Sequence, residues 1–395
     1  MDSVRPARGA QRLRQANRRD ILELLRTTGV MSRADLAREL GLSPTTSSSI
    51  VSDLIVDGFA EESEPTARGG RGRPGRLVRL ITPPGVIVGI DVGRRHLQVA
   101  VAQRDGVVLA ERFGDIPQGQ DRATTTRTVL AVVDELLAGC ARERSELLAV
   151  GIGLPGPIEQ ETHFIATGTI LPEWVGYDVV AVLREELGVP VALDNDANLG
   201  ILGEASEGAA RGFRHAIYVK VSTGVGAGLL LGGDLHRGAG GTAGELGHTS
   251  IQGDGPVCRC GSRGCLETLA SVPALLEMLA PTLGEDVDLP RVLELAAQGN
   301  RACLRAITDV GHSVGRALAT VCNLLNPEVI VIGGPLVAVA EPFLDAVSDA
   351  VGRGSIASNS TGLEIRPAEL GRRAELIGAL TLAGDAVPKV EHQAH

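Results

Sequence analysis

The chain has 395 residues, 44% of them hydrophobic, with a mean hydropathy of +0.13. That is enough for a sizeable core, excludes global disorder and allows two or three domains of about 150 residues. The net charge of −10 is uneven: residues 1–80 hold 14 Arg against 10 acids, a balance of +4, and the remainder carries −14. A basic module on an acidic body points toward nucleic acid. Aromatics at 2% argue against a binding surface built on stacking. No apolar run approaches the roughly 18 uncharged residues of a membrane span, and the Arg-rich start lacks the apolar core of a secretory signal. The expectation is a cytoplasmic protein without a membrane partner.

Residues 1–11 read as a flexible arm. A helical pattern then runs from Arg12 to near Gly29, with Ile21, Leu22, Leu24 and Leu25 as its buried stripe. Ser32, with Asp35 three residues on, opens a second helix carrying Leu36, Ala37 and Leu40 inward. Ser43-Pro44 opens a third, with Ser as N-cap and Pro at the first helical position. Its apolar side is Ile50, Val51, Leu54 and Ile55, and Thr45, Thr46, Ser47, Ser48 and Ser49 crowd its start. Such a hydroxyl run is a poor helix former. It fits either a polar loop or a helix end that meets phosphates and base edges. Two short strands, residues 59–60 and 77–80, flank a loop with Arg68, Arg71, Arg73 and Arg76. Helix, helix, glycine turn, hydroxyl-rich helix and basic wing describe a winged helix-turn-helix over residues 1–80. Its expected DNA contacts are Ser43, Thr45, Thr46, Ser47, Ser48, Arg71, Arg73 and Arg76, the arginines suiting a narrow minor groove.

The breaker run Thr82-Pro-Pro-Gly85 separates this module from an α/β body. Strands are expected at 86–91, 96–102, 107–111 and 148–152, with an Asp105-Gly106 hairpin turn and a helix at 126–137. A strand at 189–193 leads into Asp194-Asn-Asp-Ala-Asn198 and a helix at 199–206. Carboxylates at a strand's carboxyl end line the crevice where α/β ligands bind. An Asp there can act as general base on a sugar hydroxyl or simply cap the helix. Strands at 216–222 and 228–231 flank the glycine turn 223–227, which suits a phosphate approach or plain hairpin geometry. The repeated strand–turn–strand unit implies two related lobes with a cleft between them. His248-x9-Cys258-x-Cys260-x4-Cys265 supplies one imidazole and three thiolates, a closed set that favours structural zinc over a catalytic metal.

These segments together resemble the ROK family of repressors, uncharacterised reading frames and sugar kinases, over essentially the whole chain. The resemblance rests on Gly244-Glu-Leu-Gly-His248, the cysteine cluster through Glu267, Gly151-Ile-Gly-Leu-Pro-Gly156, Asn195-Asp-Ala-Asn198 and Asn326-Pro-Glu-Val-Ile-Val-Ile-Gly-Gly334. The leading winged helix marks the repressor branch. The resemblance implies an actin-like, two-lobed sugar-kinase (ribonuclease H-like) α/β fold behind the α+β winged helix. The first lobe would span 81–200 and the second 201–395, with the final helix returning to the first. It further implies Asp196 as the kinase base, if activity is retained, and sugar contacts from Asn195, Asp196, Glu245, His248 and Glu267. His248, Cys258, Cys260 and Cys265 match the zinc ligands. One ring nitrogen of His248 would serve the metal while the other turns toward the sugar.

Asp91, Gly93, Thr223, Gly224 and Gly226 are what remains of the two phosphate loops. In the first loop Arg94 and Arg95 replace a glycine and a hydroxyl residue of the kinases, which argues against ATP and magnesium. Ile170 stands where family kinases often have Asn. The reading is a sugar-responsive regulator, a repressor by expectation. Its partners would be a double-stranded operator, a sugar or sugar-phosphate effector, and a second copy in a homodimer or homotetramer. The alternative is an active or bifunctional ATP-dependent sugar kinase.

Overall fold

The computed structural model of the chain describes residues 7–63, 76–81, 84–117, 120–159, 162–165 and 172–388. The expected sites Arg71 and Arg73, together with Arg68 and Ile170, lie outside those residues. The N-terminal module comprises α1 (Ala7–Thr28), β1 (Val30–Ser32), α2 (Arg33–Glu39), α3 (Pro44–Val56), β2 (Ala60–Ser63) and β3 (Leu77–Leu80). Helix α1 begins at Ala7, so residues 7–11 are helical where an arm was expected. Arg14 ties this half of α1 to Asp53 and Ser49 of α3. The two caps form as their residue types dictate, with Ser32 accepting from the Asp35 N–H and Ser43 from the Thr46 N–H. Strand β1, too short to carry a periodicity, pairs with β3 and completes a small sheet ordered β1-β3-β2. Ile21, Leu25, Leu36, Ile50, Val51, Leu54 and Val78 close the module's own core.

The body continues with β4 (Val86–Val92), β5 (His96–Gln103), β6 (Val108–Asp115), α4 (Arg122–Gly139), β7 (Leu147–Leu154), α5 (Val179–Leu187) and β8 (Val191–Asn195). There follow α6 (Asp196–Glu207), β9 (Ala216–Val221), β10 (Val225–Leu231) and β11 (Asp234–Leu235). Helices α7 (Glu267–Ala270), α8 (Val272–Leu283), α9 (Leu289–Ala297) and α10 (Arg301–Leu325) come next. Then come β12 (Val329–Gly333), α11 (Ala340–Gly354), α12 (Ala357–Ser360), β13 (Glu364–Pro367) and α13 (Ala374–Ala386).

Two five-stranded sheets result, ordered β6-β5-β4-β7-β8 and β11-β10-β9-β12-β13. In each, the first three strands are antiparallel neighbours and the last two join in parallel. The lobes therefore repeat one topology. Their central strands are buried on both faces and read as near-continuous apolar runs, as parallel-flanked strands do.

Helices α6 and α13 join the lobes. Helix α13 lies on β4 and β7, α6 lies on β9 and β10, and the two helices pack on each other. Two glycines permit that contact. A Cβ on Gly203 would sit 2.1 Å from the Ala374 carbonyl oxygen, and one on Gly378 would sit 1.9 Å from that of Leu199. Backbone thus meets backbone at the joint between the two sheets.

Candidate functional site

Strand β8 ends at Asn195 and α6 starts at Asp196, so both residues stand at the carboxyl end of that strand, where α/β ligands bind. Asn195 is the N-cap: its Oδ1 accepts from the Ala197 N–H at 2.8 Å, while its Nδ2 donates to the Gly156 carbonyl at 2.7 Å. The capping role that the sequence left open therefore falls to Asn195. Asp194 turns away into an ion pair with Arg237 at 2.6 Å and accepts from Asn198 at 2.7 Å.

Asp196 accepts from the Ala197 N–H on Oδ1 and pairs through Oδ2 with Lys220 Nζ at 3.0 Å. Lys220 comes from β9, and its ammonium is also 3.0 Å from Glu375 Oε1 on α13. Tyr218, two residues back and so on the same face of the strand, donates to the same Glu375 oxygen at 3.2 Å. Burial disfavours the Lys220 charge, yet Asp196, Glu375 and Asp91 together raise its pKa well above the ordinary lysine value. Burial pushes Glu375 up, against the pull of Lys220, and the charges of Asp91 and Asp196 add to the rise. Lys220, Tyr218 and Glu375 were not singled out from sequence, because the helix that brings Glu375 is remote along the chain.

In the first lobe Asp91 is the last residue but one of β4 and is buried. Burial favours its neutral form, but His96 at 2.9 Å, the nearby Lys220 charge and the Gln98 amide at 3.3 Å hold its pKa below the usual aspartate range. Its second oxygen, Oδ1, has no hydrogen-bond partner among the described residues. The His96 ring lies over Gly93, where a Cβ would come within 2.1 Å of it. Burial opposes charge on His96, but Asp91 outweighs it and the imidazole pKa is raised above 6.5.

The second glycine segment differs from its expected form. The turn is confined to residues 222–224, and Val225, Gly226 and Ala227 already belong to β10, with Gly226 opposite Lys220. Gly226 and Gly228 face α6: a Cβ on Gly228 would lie 2.3 Å from the Ala197 carbonyl oxygen. Gly226 is therefore a strand glycine beside α6, and the turn itself keeps only Thr223 and Gly224 of the expected segment. At the tip, Glu267 lies against Gly224, accepts from the Val225 N–H at 3.3 Å and pairs with Arg259 at 2.6 Å. Glu245 is half-buried beside these carboxylates. Burial first, then the charges of Asp196 and Glu267, raise its pKa to about 7.

His248 faces two ways. Its Nε2 is 3.8 Å from a Glu245 oxygen, and its Nδ1 is 3.6 Å from the Cys258 sulfur. The His248, Cys258, Cys260 and Cys265 donor atoms all lie within 4.8 Å of one another. The sulfurs of Cys260 and Cys265 are 3.7 Å apart. A disulfide bond is about 2.05 Å, whereas two thiolates on a tetrahedral ion with bonds of about 2.3 Å stand about 3.8 Å apart. Burial, with the neighbouring sulfurs adding to it, pushes the Cys265 thiol up to about 12. Ionising the whole set needs a cation among the thiols. The donor set fits a metal ion.

In the N-terminal module, Thr45 is exposed at the start of α3, next to the capping pair Ser43 and Thr46. Ser47 contradicts its expected DNA contact: it is fully buried and donates to the Arg33 carbonyl. It lies at helical spacing with Ile50, Val51 and Leu54 on the inner stripe, a signal that the sequence held. Ser48 is held by Arg33 at 2.9 Å. Arg76 is exposed and 3.5 Å from Glu62. Two contacts between the module and the body are seen among the described residues. Arg104, on the β5–β6 turn, donates to the Asp57 carbonyl at 3.2 Å and, like Arg18, lies over the Phe59 ring. Arg211, in the segment after α6, pairs with Glu23.

Comparison with known proteins matches residues 87–386 to the ROK family and residues 14–61 to a winged helix-turn-helix DNA-binding family. The xylose repressor of Caldicellulosiruptor bescii is 29% identical over 384 residues, covering 94% of this chain and 96% of its own. A crystal structure of a ROK family transcriptional regulator, a homologue of the E. coli Mlc protein, superposes with a TM-score of 0.75 at 25% identity, over 95% of this chain and 97% of its own. A ROK family glucokinase from Streptomyces griseus, in complex with glucose and AMPPNP, superposes with a TM-score of 0.68 at 26% identity. It covers 76% of this chain and 100% of its own.

Proposed function

The chain belongs to the ROK family, and from that premise we propose that it is a sugar-responsive DNA-binding transcriptional regulator, acting as a repressor. The observation that carries the proposal is the pairing of a winged helix-turn-helix with a complete two-lobed body, the pairing that spans nearly the full length of its repressor relatives. A sugar bound at the cleft would meet Asp196, Glu245, His248 and Glu267, with Asn195 holding the strand end. Zinc on His248, Cys258, Cys260 and Cys265 would fix the His248 ring, so the metal shapes the pocket rather than performing chemistry there. Its donor distances support that choice.

DNA reading falls to the start of α3, with exposed Thr45 beside Ser43 and Thr46, and to the wing with Arg71, Arg73 and Arg76. A homodimer or homotetramer on a near-palindromic operator matches two-fold symmetry to half-sites. The module leans on the first lobe through Arg104 and on the α6 side through Arg211. A sugar that favours one lobe arrangement therefore changes the support of the DNA-reading helices. The coupling requires that differential affinity. Among the described residues no helix is long and apolar enough to cross a membrane.

The test is selection of bound fragments from genomic DNA by the full-length protein at moderate salt, followed by a panel of pentoses and hexoses. The expected result is one near-palindromic site whose affinity shifts with one sugar. Recovery of only salt-sensitive, sequence-random DNA with no sugar response overturns the reading. Sugar phosphorylation that vanishes in Asp196→Asn would replace it with a kinase.

A further inference from the structure

Three carboxylates from three separate elements act on one lysine: Asp91 near the end of β4, Asp196 at the start of α6 and Glu375 in the first turn of α13. Convergent carboxylates of this kind are what a nucleotide-dependent phosphoryl transfer uses to hold its divalent cation against the phosphates. Here the chain supplies a cation of its own. Lys220 Nζ is 3.0 Å from Asp196 and 3.0 Å from Glu375, and Asp91 is close enough for its charge to act on it. The lysine is mostly enclosed, with 16% of its side chain exposed, so it does not project into the cleft as a free phosphate-binding lysine would. On the Asp91 side, the His96 ring covers Gly93 and takes one of the aspartate oxygens.

We propose that Lys220 is a specificity-determining residue of this cleft: its ammonium fills the position among Asp91, Asp196 and Glu375 that a nucleotide-bound metal would need, so the cleft takes a neutral polyol and rejects the metal–nucleotide. The inference rests on the regulator reading and deepens it, giving a physical reason for binding without phosphoryl transfer. One ammonium offsets one carboxylate, and a divalent cation entering beside it meets like charge at short range, where repulsion in a partly dry site is strong. The same ammonium ties the first turns of both lobe-joining helices to β9, so removing it should also loosen the joint.

The experiment uses the full-length, zinc-loaded protein and two probes: free Mn2+, read by electron paramagnetic resonance, and Mg-AMPPNP, read by titration calorimetry. Wild type and Lys220→Arg are expected to bind neither. Lys220→Met is expected to bind one Mn2+ per chain, with affinity at least about tenfold above wild type. Removing the lysine leaves Glu375 buried without its counter-charge, so the double variant Lys220→Met/Glu375→Gln is run in parallel. It keeps Asp91 and Asp196 for the metal, and the same gain is expected. One Mn2+ or one AMPPNP per wild-type chain at the affinity of the methionine variants overturns the proposal. So does a folded double variant that gains neither. Loss of hexose-6-phosphate binding in Lys220→Met, without any gain of Mn2+, overturns it in favour of a phosphate-binding lysine. The shift of operator affinity with sugar, measured on the same wild-type sample, is independent of these readouts. Mn2+ binding with the shift intact removes only the lysine proposal, whereas an operator affinity that no sugar changes, with no Mn2+ binding, removes only the regulator.

Discussion

The two lobes share one strand order but use their first hairpins differently. In the first lobe the β4–β5 turn carries Arg94 and Arg95, and the His96 ring lies back over Gly93 to hold Asp91. In the second lobe the β9–β10 turn is small, Gly226 and Gly228 of β10 admit α6, and Glu267 and Arg259 brace the turn's tip. One hairpin is stabilised by buried charge, the other by close backbone packing and an adjacent metal-ligand cluster. Equal topology therefore does not imply equal chemistry. The first hairpin is closed by its own side chains, while the second positions the residues around His248. This difference follows from a few side chains and not from the sheets, which are nearly interchangeable in order.

The greatest effect is expected at the His248, Cys258, Cys260 and Cys265 cluster, which only the second lobe carries among the described residues. Chelation, or Cys265→Ala, is expected to cost about 3 kcal/mol or more, because metal binding free energy is folding free energy. Hydrogen exchange should show protection lost around residues 222–272 while β4 and β7 keep theirs. Equal loss in both lobes would mean that the cluster does not belong to the second lobe alone.

Next in size is the joint. Gly378→Ala drives a methyl into the Leu199 carbonyl and is expected to cost about 2 kcal/mol in denaturant unfolding. Gly139→Ala is its control, since that helical glycine has nothing within 4 Å of an added Cβ. It should be neutral or stabilise by about 0.5 kcal/mol. Equal costs would show that the close approach of α6 and α13 is not what joins the lobes.

The smallest expected effect is the pH dependence of the first hairpin. His96 has a folded-state pKa raised above 6.5, so the folded state binds its proton more tightly than the unfolded chain does. The stabilisation is fully present below about pH 6.5 and is lost as pH rises through the raised value. Thermal melts from about pH 6 to about pH 8 should therefore fall more steeply for wild type than for His96→Asn. Parallel slopes would remove the His96–Asp91 pair from the account of that hairpin.

Much was legible before any coordinates. Ser32 and Ser43 cap because their hydroxyls reach backbone N–H groups two or three residues ahead, a purely local bond. The His248 to Cys265 spacing was legible because thiolates clustered along the chain have little other use in such a setting. Ser47 was misread although its spacing with Ile50 and Leu54 announced an inward position; the hydroxyl run drew attention to composition over periodicity. The start of β10 was placed too late in the same way, since Gly224, Gly226 and Gly228 alternate as residues on one strand face do.

Local pattern was enough for the order of the parts: a basic winged helix, two repeated α/β units and one compact His/Cys cluster. Each depends on contacts a few residues long or on a periodicity that a single element carries. Folding was needed to reveal that Lys220 stands between Asp196 and Glu375, that His96 folds onto Gly93, and that the winged helix leans on Arg104 and Arg211. Those contacts join elements distant in the chain. Their energies come from burial and charge at places where no local pattern records the neighbour.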